Sequence, residues 1–320
     1  MAAVASSAAD ECSAPTGQLA GRLVVITGAS RGVGAELART FASEGALVVV
    51  NYYKSKDKAQ AVVAEINHHR ERHRRPDRPQ ALAVYGDVRV KADMEALVAK
   101  AEEHFAPAKV SVLVNNALQS YKFDPTSASA SLRTVEWETI DAQMQGTVQG
   151  AVNAAQACLP SFEATKYGKV INVGTNLVYN PVVTYYGALA ASFLSSRCSR
   201  WHRVARPRRV DGATCHAIDP MPHADYSAAK AALVSLTRNL AAELGPLGVR
   251  VNLVAGGLLE RTDASSLTTD EVFGYVAGAT PLRKTTTVED FAKACVFFAA
   301  PASDAVTGQS LSVDGGLTMP

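Results

Sequence analysis

Two side chains in the sequence have the types and spacing to move a proton together. Tyr226 and Lys230 stand four positions apart near the start of a predicted helix, so they share one face of it. A phenol normally loses its proton at about pH 10, too high for a group that cycles at neutral pH. A nearby ammonium stabilises the phenolate and lowers that pKa, which would make Tyr226 a usable acid and base. The alternative is an exposed helix face with two ordinary polar residues.

A glycine-rich segment near the beginning of the chain is typical of a dinucleotide site. Residues 23–38 read LVVITGASRGVGAELA, a short apolar run followed by a turn and an Ala/Leu-rich helical pattern. Glycines let the backbone approach a pyrophosphate, and the start of the helix supplies free N–H groups. Strand, glycine turn and helix in this order favour a cofactor site over a structural turn. The candidate cofactor-binding residues here are Gly28, Ser30, Arg31, Gly32, Val33 and Gly34.

The end of the second predicted strand, LVVVNYYKS, indicates which nicotinamide cofactor would bind. A carboxylate there would hydrogen-bond the adenosine 2′-hydroxyl and repel a 2′-phosphate, and Asn51 stands at that place. Arg31 in the turn and Lys54 after the strand are placed to meet the phosphate. Lys54 alone could equally be a solvated loop charge. Together the three residues favour NADPH/NADP over NAD.

Apolar runs alternate with helical patterns along most of the chain. They predict strands at 22–27, 46–51, 81–86, 110–115, 169–174, 249–254 and 310–313, with helices near 32–44, 57–67, 91–104, 135–163, 226–245 and 288–300. Apolar strands separated by helices indicate a parallel sheet covered on both faces. We therefore predict an α/β fold with a single doubly wound parallel sheet, helices on both faces and ligands at the carboxyl ends of the strands. Thr268 and Thr287 are predicted helix N-caps, the first of a short helix after the sixth strand.

Six motifs, in order from about Gly21 to Gly316, resemble those of the short-chain dehydrogenase/reductase family. They are the glycine turn, Asp87-Val88, Asn115-Asn116-Ala117, Tyr226-x-x-x-Lys230, Asn252 to Gly257, and Thr307 to Gly316. Details of the turn and of the TPLRK and VDGG segments most resemble 3-oxoacyl-acyl-carrier-protein reductases. The resemblance implies a Rossmann-like fold and hydride transfer from NADPH to a carbonyl, most closely that of a 3-oxoacyl thioester, with Tyr226 as proton donor.

The resemblance also implies roles for further residues. Asp87 and Val88 would hold the adenine, and Lys230 would hold the nicotinamide ribose as well as act on Tyr226. The other cofactor-binding residues carried over are Asn115, Asn116, Ala117, Tyr226 and Gly257. Residues 258–280 would form a mobile lid over the substrate.

Two catalytic positions depart from the family pattern. Thr175 replaces the serine that polarises the substrate carbonyl, and Thr147 replaces the asparagine that anchors a water beside the lysine. Threonine keeps a hydroxyl but adds a methyl group and is stiffer about χ1. The proton relay is therefore the least regular part of the motif.

Composition sets the domain organisation. With 320 residues, 48% of them hydrophobic, the chain can form one large core, and we expect a single reductase domain at 21–320 after a disordered tail at 1–20. No apolar run approaches the roughly 18 residues of a membrane span, and the tail does not resemble a targeting signal, so we expect a cytoplasmic protein without a membrane partner. The five cysteines show neither metal nor disulfide spacing.

An arginine-rich insertion separates two catalytic positions. Thr175 and Tyr226 lie 51 positions apart, whereas about a dozen is usual in the family, and the surplus falls at 184–221. One interpretation is a functional loop whose six arginines between 197 and 209 attract an acidic carrier protein. The other is a segment that is not native coding sequence and is disordered. Because its arginines resemble a solvated insertion, we expect no nucleic-acid partner.

Three functions are compatible with these residues. The first is the NADPH-dependent reductase of 3-oxoacyl thioesters. The second is an NADP-binding protein with weak or no catalysis, and the third is a reductase of small ketones or alcohols, because fold resemblance does not choose the substrate. The family resemblance further implies a homodimer or homotetramer that pairs through the helices at 135–163 and 226–245.

Overall fold

Strands and helices alternate in the order that the apolar pattern predicts. The computed structural model describes residues 17–72, 79–119, 134–179, 224–260 and 262–319. The strands are β1 Leu23–Ile26, β2 Leu47–Tyr52, β3 Ala81–Tyr85, β4 Val110–Asn115, β5 Gly168–Thr175, β6 Val249–Gly256 and β7 Ser310–Val313. The helices are α1 Gly32–Ser43, α2 Lys56–Arg72, α3 Lys91–His104, α4 Trp137–Met144, α5 Gly150–Thr165, α6 Ala224–Leu244, α7 Asp270–Ala279 and α8 Val288–Ala299.

The strands of the described residues form one parallel sheet in the order β3-β2-β1-β4-β5-β6-β7. β1 pairs with β2 on one side and with β4 on the other, so the direction of winding reverses between β1 and β4. The predicted α/β fold, a single doubly wound parallel sheet, is confirmed. A crevice opens at the carboxyl ends of the strands where such a reversal occurs, and ligands bind there in open sheets of this kind.

Two hydrophobic layers cover the sheet, which is why its strands are apolar throughout. Val24 and Ile26 of β1 face the layer that contains Phe41 of α1, and the intervening Val25 faces the layer that contains Phe162 of α5. All five side chains are buried. Burying a side chain of this size stabilises the fold by about 1.5–3 kcal/mol. The two layers together hold the strand ends, and hence the crevice, in fixed positions.

The helix predicted at 135–163 is not regular. A π-helical turn, Gln145–Gln149, separates α4 from α5. Such a turn accommodates an extra residue within a helix and is often found at functional sites. The hydrophobic pattern gave no sign of this turn, and the buried residue of α4 is the polar Gln143.

Several boundaries differ from the prediction, among them the following three. Residues 17–20 were predicted as part of a disordered tail, but Leu19 is fully buried in the core and its backbone N–H donates to Glu44 O at 2.9 Å. Thr269, not Thr268, is the N-cap of α7. Helix α2 runs to Arg72, five residues past its predicted end. Residues 1–16 and the predicted insertion at 184–221 lie outside the described residues.

Thr287 caps α8 as predicted. Its hydroxyl accepts from the Asp290 N–H at 3.0 Å, and the Asp290 carboxylate accepts from the Thr287 N–H at 3.4 Å.

In the part of the chain that the structure describes, no helix is both long and apolar enough to cross a membrane.

We predict that Thr287→Ala lowers the free energy of unfolding by about 1 kcal/mol, because the Asp290 N–H at the start of α8 loses the hydroxyl that accepts its hydrogen bond. Thr269→Ala is the matched control: Thr269 has the same extended backbone, and its side chain makes no cap hydrogen bond. Urea denaturation compares the two variants. Equal losses would show that the capping box of α8 does not contribute to stability.

Candidate active site

A cleft of about 420 Å³ lies at the carboxyl ends of the strands, over the reversal between β1 and β4. The glycine turn forms one wall, the ends of β2 and β3 form another, and the end of β5 with the start of α6 closes it. Sixteen of the predicted site residues line it: Gly28, Ser30, Arg31, Gly32, Val33, Gly34, Asn51, Lys54, Asp87, Val88, Asn116, Ala117, Thr175, Tyr226, Lys230 and Gly257. The other two, Asn115 and Thr147, do not line it.

The glycine turn is held by side chains from the end of β4. The Asn116 amide donates to Thr27 O at 2.9 Å and to Gly28 O at 3.0 Å, and the Thr27 hydroxyl accepts from the backbone N–H groups of Asn116 and Ala117 at 3.0 Å each. Gly28 has φ +62°, and a Cβ at Gly34 would stand 2.5 Å from Gly28 O. Only glycine fits this packing, so the spacing of the glycines follows from it.

The start of α1 faces the cleft without a cap. Its N-cap, Arg31, makes no side-chain cap hydrogen bond, and the first turn contains no acidic residue. The N–H groups of the first turn are therefore free to receive an anion, and the helix dipole favours one there. This agrees with the predicted pyrophosphate site.

Asn51 has a different position from the one predicted. It is buried, with its amide donating to Gly86 O at 3.0 Å and to Val84 O at 3.4 Å, and its carbonyl accepting from the Gly28 N–H at 3.1 Å. Its side chain therefore links β2, β3 and the glycine turn and does not present a free group to a ribose. The residues that line this end of the cleft next to it are Tyr52, Tyr53, Lys54 and Ser55. The prediction was one position short because the strand extends to Tyr52.

Asp87 is held by an arginine that the sequence analysis did not single out. The Arg89 guanidinium makes a bidentate contact with the Asp87 carboxylate, with the shortest distance at 2.6 Å. The backbone N–H of Arg89 donates to the same carboxylate at 3.0 Å. Hydrogen bonds from Arg89 hold the pKa of Asp87 below its usual value. The Arg89 guanidinium lies 5.4 Å from the centre of the Tyr53 ring, and Lys54 lies at the same distance. A base that binds beside Asp87 must share the carboxylate with Arg89.

Tyr226, Lys230 and Thr175 come together at the inner end of the cleft, as the spacing predicts. The Tyr226 hydroxyl is hydrogen-bonded to Thr175, and Lys230 Nζ lies 5.8 Å from the centre of the Tyr226 ring. Lys230 is 1% exposed and its ammonium donates to Val173 O at 2.6 Å. An exposed helix face with two ordinary polar residues is therefore excluded.

The pKa of Tyr226 is shifted in the direction opposite to the prediction. Burial raises it to about 12, which outweighs the hydrogen bond with Thr175 that acts to lower it. Burial also lowers the pKa of Lys230 to about 8. Both shifts have one main cause, since the surrounding protein removes hydration from each group and disfavours its charged form. The tyrosine is therefore a protonated group throughout the neutral range.

Thr147 and Asn115, the two predicted site residues that do not line the cleft, are both buried. Thr147 lies in the π-helical turn, 3% exposed, and its hydroxyl has no hydrogen-bond partner among the described residues. Asn115 is buried behind the cleft, where its amide donates to Asn172 at 2.9 Å, and the Asn172 amide donates to Thr237 at 2.8 Å. Asn115 thus joins β4 to β5 and α6, which corrects its predicted contact with the cofactor.

A buried carboxylate fixes the segment after Thr175. Asp314 accepts from the Asn176 amide at 3.0 Å, from the Thr318 hydroxyl at 2.6 Å and from the Thr318 N–H at 3.0 Å. Gly257 packs against it, where a Cβ would stand 2.7 Å from Asp314 Cβ. The Asp314 carboxylate therefore joins three segments: the end of β5, the loop after β6 and the C-terminal segment. The sequence showed Asp314 within the VDGG motif but did not indicate its partners.

The predicted lid contributes to the cleft. Leu258, Leu259, Thr262, Asp263, Ala264, Ser265, Thr268 and Val272 line its outer side. Arg31 crosses the opening to this loop, with its Nε 2.9 Å from Asp263 Oδ2. Neither Asp263 nor its pairing with Arg31 was anticipated from the sequence.

We predict that Thr318→Val lowers the free energy of unfolding by about 1.5–3 kcal/mol, because Asp314 loses a short hydrogen bond to a buried charge. Thr318→Ser keeps the hydroxyl and should lose less than 1 kcal/mol, the contribution of about one methyl group. Denaturant titrations of both variants give the comparison. A serine variant as unstable as the valine variant would mean that packing, and not the hydrogen bond, holds this segment.

Comparison with known proteins agrees with this geometry. The family model described as short chain dehydrogenase matches residues 22–192, and that described as Enoyl-(Acyl carrier protein) reductase matches residues 213–318. The chain is 27% identical over 295 residues to the 3-oxoacyl-[acyl-carrier-protein] reductase FabG of Staphylococcus epidermidis, covering 92% of this chain and 98% of the relative.

Two solved structures have the same fold. A gluconate 5-dehydrogenase from Burkholderia cenocepacia, in complex with NADP and tartrate, is 26% identical with a TM-score of 0.69, covering 94% of this chain and 96% of that one. A 3-ketoacyl-(acyl-carrier-protein) reductase from Brucella melitensis, complexed with NADH, is 26% identical with a TM-score of 0.70, covering 94% and 99%. With the tyrosine, lysine and glycine turn placed around one cleft, the chain belongs to the short-chain dehydrogenase/reductase family.

Proposed function

We propose that this protein is an NADPH-dependent reductase of carbonyl compounds and that its substrate is a 3-oxoacyl thioester. The observation that carries the proposal is the meeting of Tyr226, Thr175 and Lys230 at the inner end of a cleft whose opposite wall is the glycine turn. A cofactor bound along this cleft would extend from the anion site at α1 to the proton donor.

The residues present fit a nicotinamide dinucleotide. The uncapped start of α1 suits the pyrophosphate, and Val88, Asn116 and Ala117 line the walls beyond it. Bound NADPH supplies the hydride, which is the chemistry that no side chain of this protein can provide. Asp87 and Val88 would contact the adenine, and Lys230 and Gly257 would lie toward the nicotinamide end.

The adenosine end of the cleft suits a 2′-phosphate. No carboxylate occurs among Tyr52, Tyr53, Lys54 and Ser55, and the nearby Asp87 is paired with Arg89. Lys54 and Arg31 both line this cleft and carry positive charge. We therefore propose NADPH over NADH, with Lys54 and Arg31 as the phosphate partners and with Asn51 supporting the turn.

Tyr226 acts as the proton donor in the proposed reaction. Because its pKa is raised to about 12, it holds its proton at neutral pH and can give it to an oxygen that becomes negative. The Thr175 hydroxyl, hydrogen-bonded to Tyr226, stabilises the same oxygen. A protonated Lys230 stabilises the negative charge that remains on the Tyr226 oxygen after the proton is transferred.

The apolar lining of the cleft supports an acyl substrate. Leu118, Leu177, Leu258, Leu259 and Val272 line it together with the catalytic cluster. Such a wall accommodates a hydrocarbon chain, whereas a sugar acid needs hydrogen-bond partners for each hydroxyl group. The FabG relative supports the same substrate class.

Three observations favour a second function, an NADP-binding protein with little catalysis. In the structure, the Lys230 ammonium is engaged by Val173 O, and the pKa of Tyr226 is raised. Thr147, at the position of the family's water-binding asparagine, has a hydroxyl with no hydrogen-bond partner in the described parts of the chain. If the relay depends on that water, proton transfer would be slow although the cofactor binds. A reductase of small ketones would share the relay and differ only in substrate.

We propose further that residues 184–221 form an insertion that is not needed for the fold. The two family models leave residues 193–212 between them, within this segment and including all six of its arginines. The protein would be a cytoplasmic homodimer or homotetramer. Trp137 at the start of α4 is 70% exposed, which suits burial between subunits along α4 and α6.

We predict that the purified protein oxidises NADPH in the presence of 3-oxoacyl thioesters, faster than with small ketones or sugar acids. Tyr226→Phe should lose at least about 100-fold in turnover, because only the proton donor is removed, while its affinity for NADPH stays close to that of the parent. Retained turnover in this variant would contradict the proposed role of Tyr226. Binding of NADPH without turnover of any carbonyl by the parent would establish the second function.

We predict a single descending limb near pH 8 in kcat/KM for carbonyl reduction. The pKa of Lys230 is lowered to about 8, so its positive charge is present below that pH and is lost above it, whereas Tyr226 stays protonated to about pH 12. Lys230→Arg, which keeps its charge at all these pH values, should abolish the limb in whatever activity remains. A limb that persists in this variant would assign the titration to another group.

We predict that excising residues 184–221, which joins Val183 to Pro222, raises the melting temperature and increases turnover. The shortened loop would restore the usual family spacing between Thr175 and Tyr226, and a shorter loop costs less entropy to close. Differential scanning calorimetry and the reductase assay test this on both chains. Loss of folding or activity on excision would make the segment a functional element, as the alternative interpretation of its arginines requires.

A further inference from the structure

A single ion pair joins the two sides of the cleft opening. Arg31 belongs to the glycine turn, Asp263 belongs to the loop after β6, and both line the cleft. Arg31 Nε lies 2.9 Å from Asp263 Oδ2, and the two side chains are 50% and 56% exposed. The pair is thus accessible to a ligand that enters between the turn and the lid.

The Asp263 carboxylate is presented by an ordered turn. The Thr262 and Ser265 hydroxyls lie 2.9 Å apart, the Thr262 N–H donates to Ser265 Oγ at 3.0 Å, and the Ser265 N–H donates to Thr262 Oγ1 at 3.1 Å. Ser266 Oγ donates to the Asp263 carbonyl at 2.8 Å. These bonds fix the backbone on both sides of Asp263, so its carboxylate is held opposite Arg31 at small entropic cost.

Lys54 and Arg31, the two cations that would meet a 2′-phosphate, differ in whether they are already paired with a carboxylate. Lys54 makes a cation–π contact with Tyr53, at 5.4 Å from the ring centre, and takes part in none of the ion pairs found among the described residues. Arg31 is already bonded to a carboxylate. A phosphate that binds Arg31 must displace Asp263 or share the guanidinium with it, and the two anions repel each other.

We propose that Asp263 is a specificity-determining residue that limits the preference for NADPH over NADH by competing with the 2′-phosphate for Arg31. The inference rests on the proposed use of NADPH. NADH lacks the phosphate and does not need Arg31, so its binding is indifferent to the pair. Asp263 thus lowers the affinity for NADPH selectively, and its removal widens the preference.

The size of the effect follows from the exposure of the pair. Ion pairs this exposed contribute little because water and salt screen them. We expect Asp263→Asn to tighten NADPH binding about two- to fivefold, equivalent to ~0.4–1 kcal/mol. The NADH dissociation constant should stay within error of the parent value.

Titration calorimetry of NADPH and of NADH against the full-length parent, Asp263→Asn and Asp270→Asn tests the proposal. Asp270 is exposed in the first turn of α7, close in sequence, and does not line the cleft, so its variant controls for the loss of one negative charge. The expected result is a selective gain for NADPH in Asp263→Asn that is absent or much smaller in Asp270→Asn. The gain should also disappear when Arg31→Ala is present in the same chain.

Three outcomes would overturn the proposal. Equal weakening of both nucleotides in Asp263→Asn would make the pair a latch for the lid, and equal gains in both aspartate variants would mean a general charge effect. A gain that survives Arg31→Ala would assign the competition to another cation. Failure of the parent to bind NADPH at all would instead refute the proposed function, and this inference would fall with it.

Discussion

The cleft depends on one set of hydrogen bonds, those that fasten the glycine turn to the end of β4. The Asn116 amide bonds to two carbonyls of the turn, and the Thr27 hydroxyl accepts two N–H groups from the chain that leaves β4. Because β1 and β4 are neighbours at the reversal of the sheet, this short clamp sets the distance between the anion site at α1 and the walls beyond it. A Cβ at Gly34 would stand 2.5 Å from Gly28 O, so this packing of the turn requires glycine at that position. The clamp therefore helps to direct the start of α1 toward the cleft.

Burial at the inner end of the same cleft shifts the pKa values of Tyr226 and Lys230. Desolvation by the surrounding protein raises the pKa of Tyr226 to about 12 and lowers that of Lys230 to about 8, so it favours the neutral form of both groups. In the proposed reaction, the Tyr226 and Thr175 hydroxyls would stabilise the negative charge that develops on a nearby substrate oxygen. The Asp314 network keeps the segment after Thr175 from moving away from this point.

Sequence reasoning located the elements and most of the candidate residues that line the cleft, because both depend on local rules. Apolar runs, the glycine spacing and the four-residue separation of Tyr226 and Lys230 each follow from backbone geometry. Contacts between distant segments were not accessible in this way. The burial of Asn51 under the turn, the fork of Arg89 onto Asp87 and the pairing of Arg31 with Asp263 depend on which side chains the fold brings together. The direction of the Tyr226 shift was missed for the same reason, since burial is a property of the whole fold.

A crystal structure of the protein with NADP⁺ would test the central claim most directly. The account predicts that the pyrophosphate lies at the start of α1, that the nicotinamide ring lies beside Tyr226 and Thr175, and that the 2′-phosphate lies within hydrogen-bond distance of Lys54. Two results would contradict the account: a nucleotide bound in the reverse direction, with its adenine beside Tyr226, or a nucleotide bound outside this cleft.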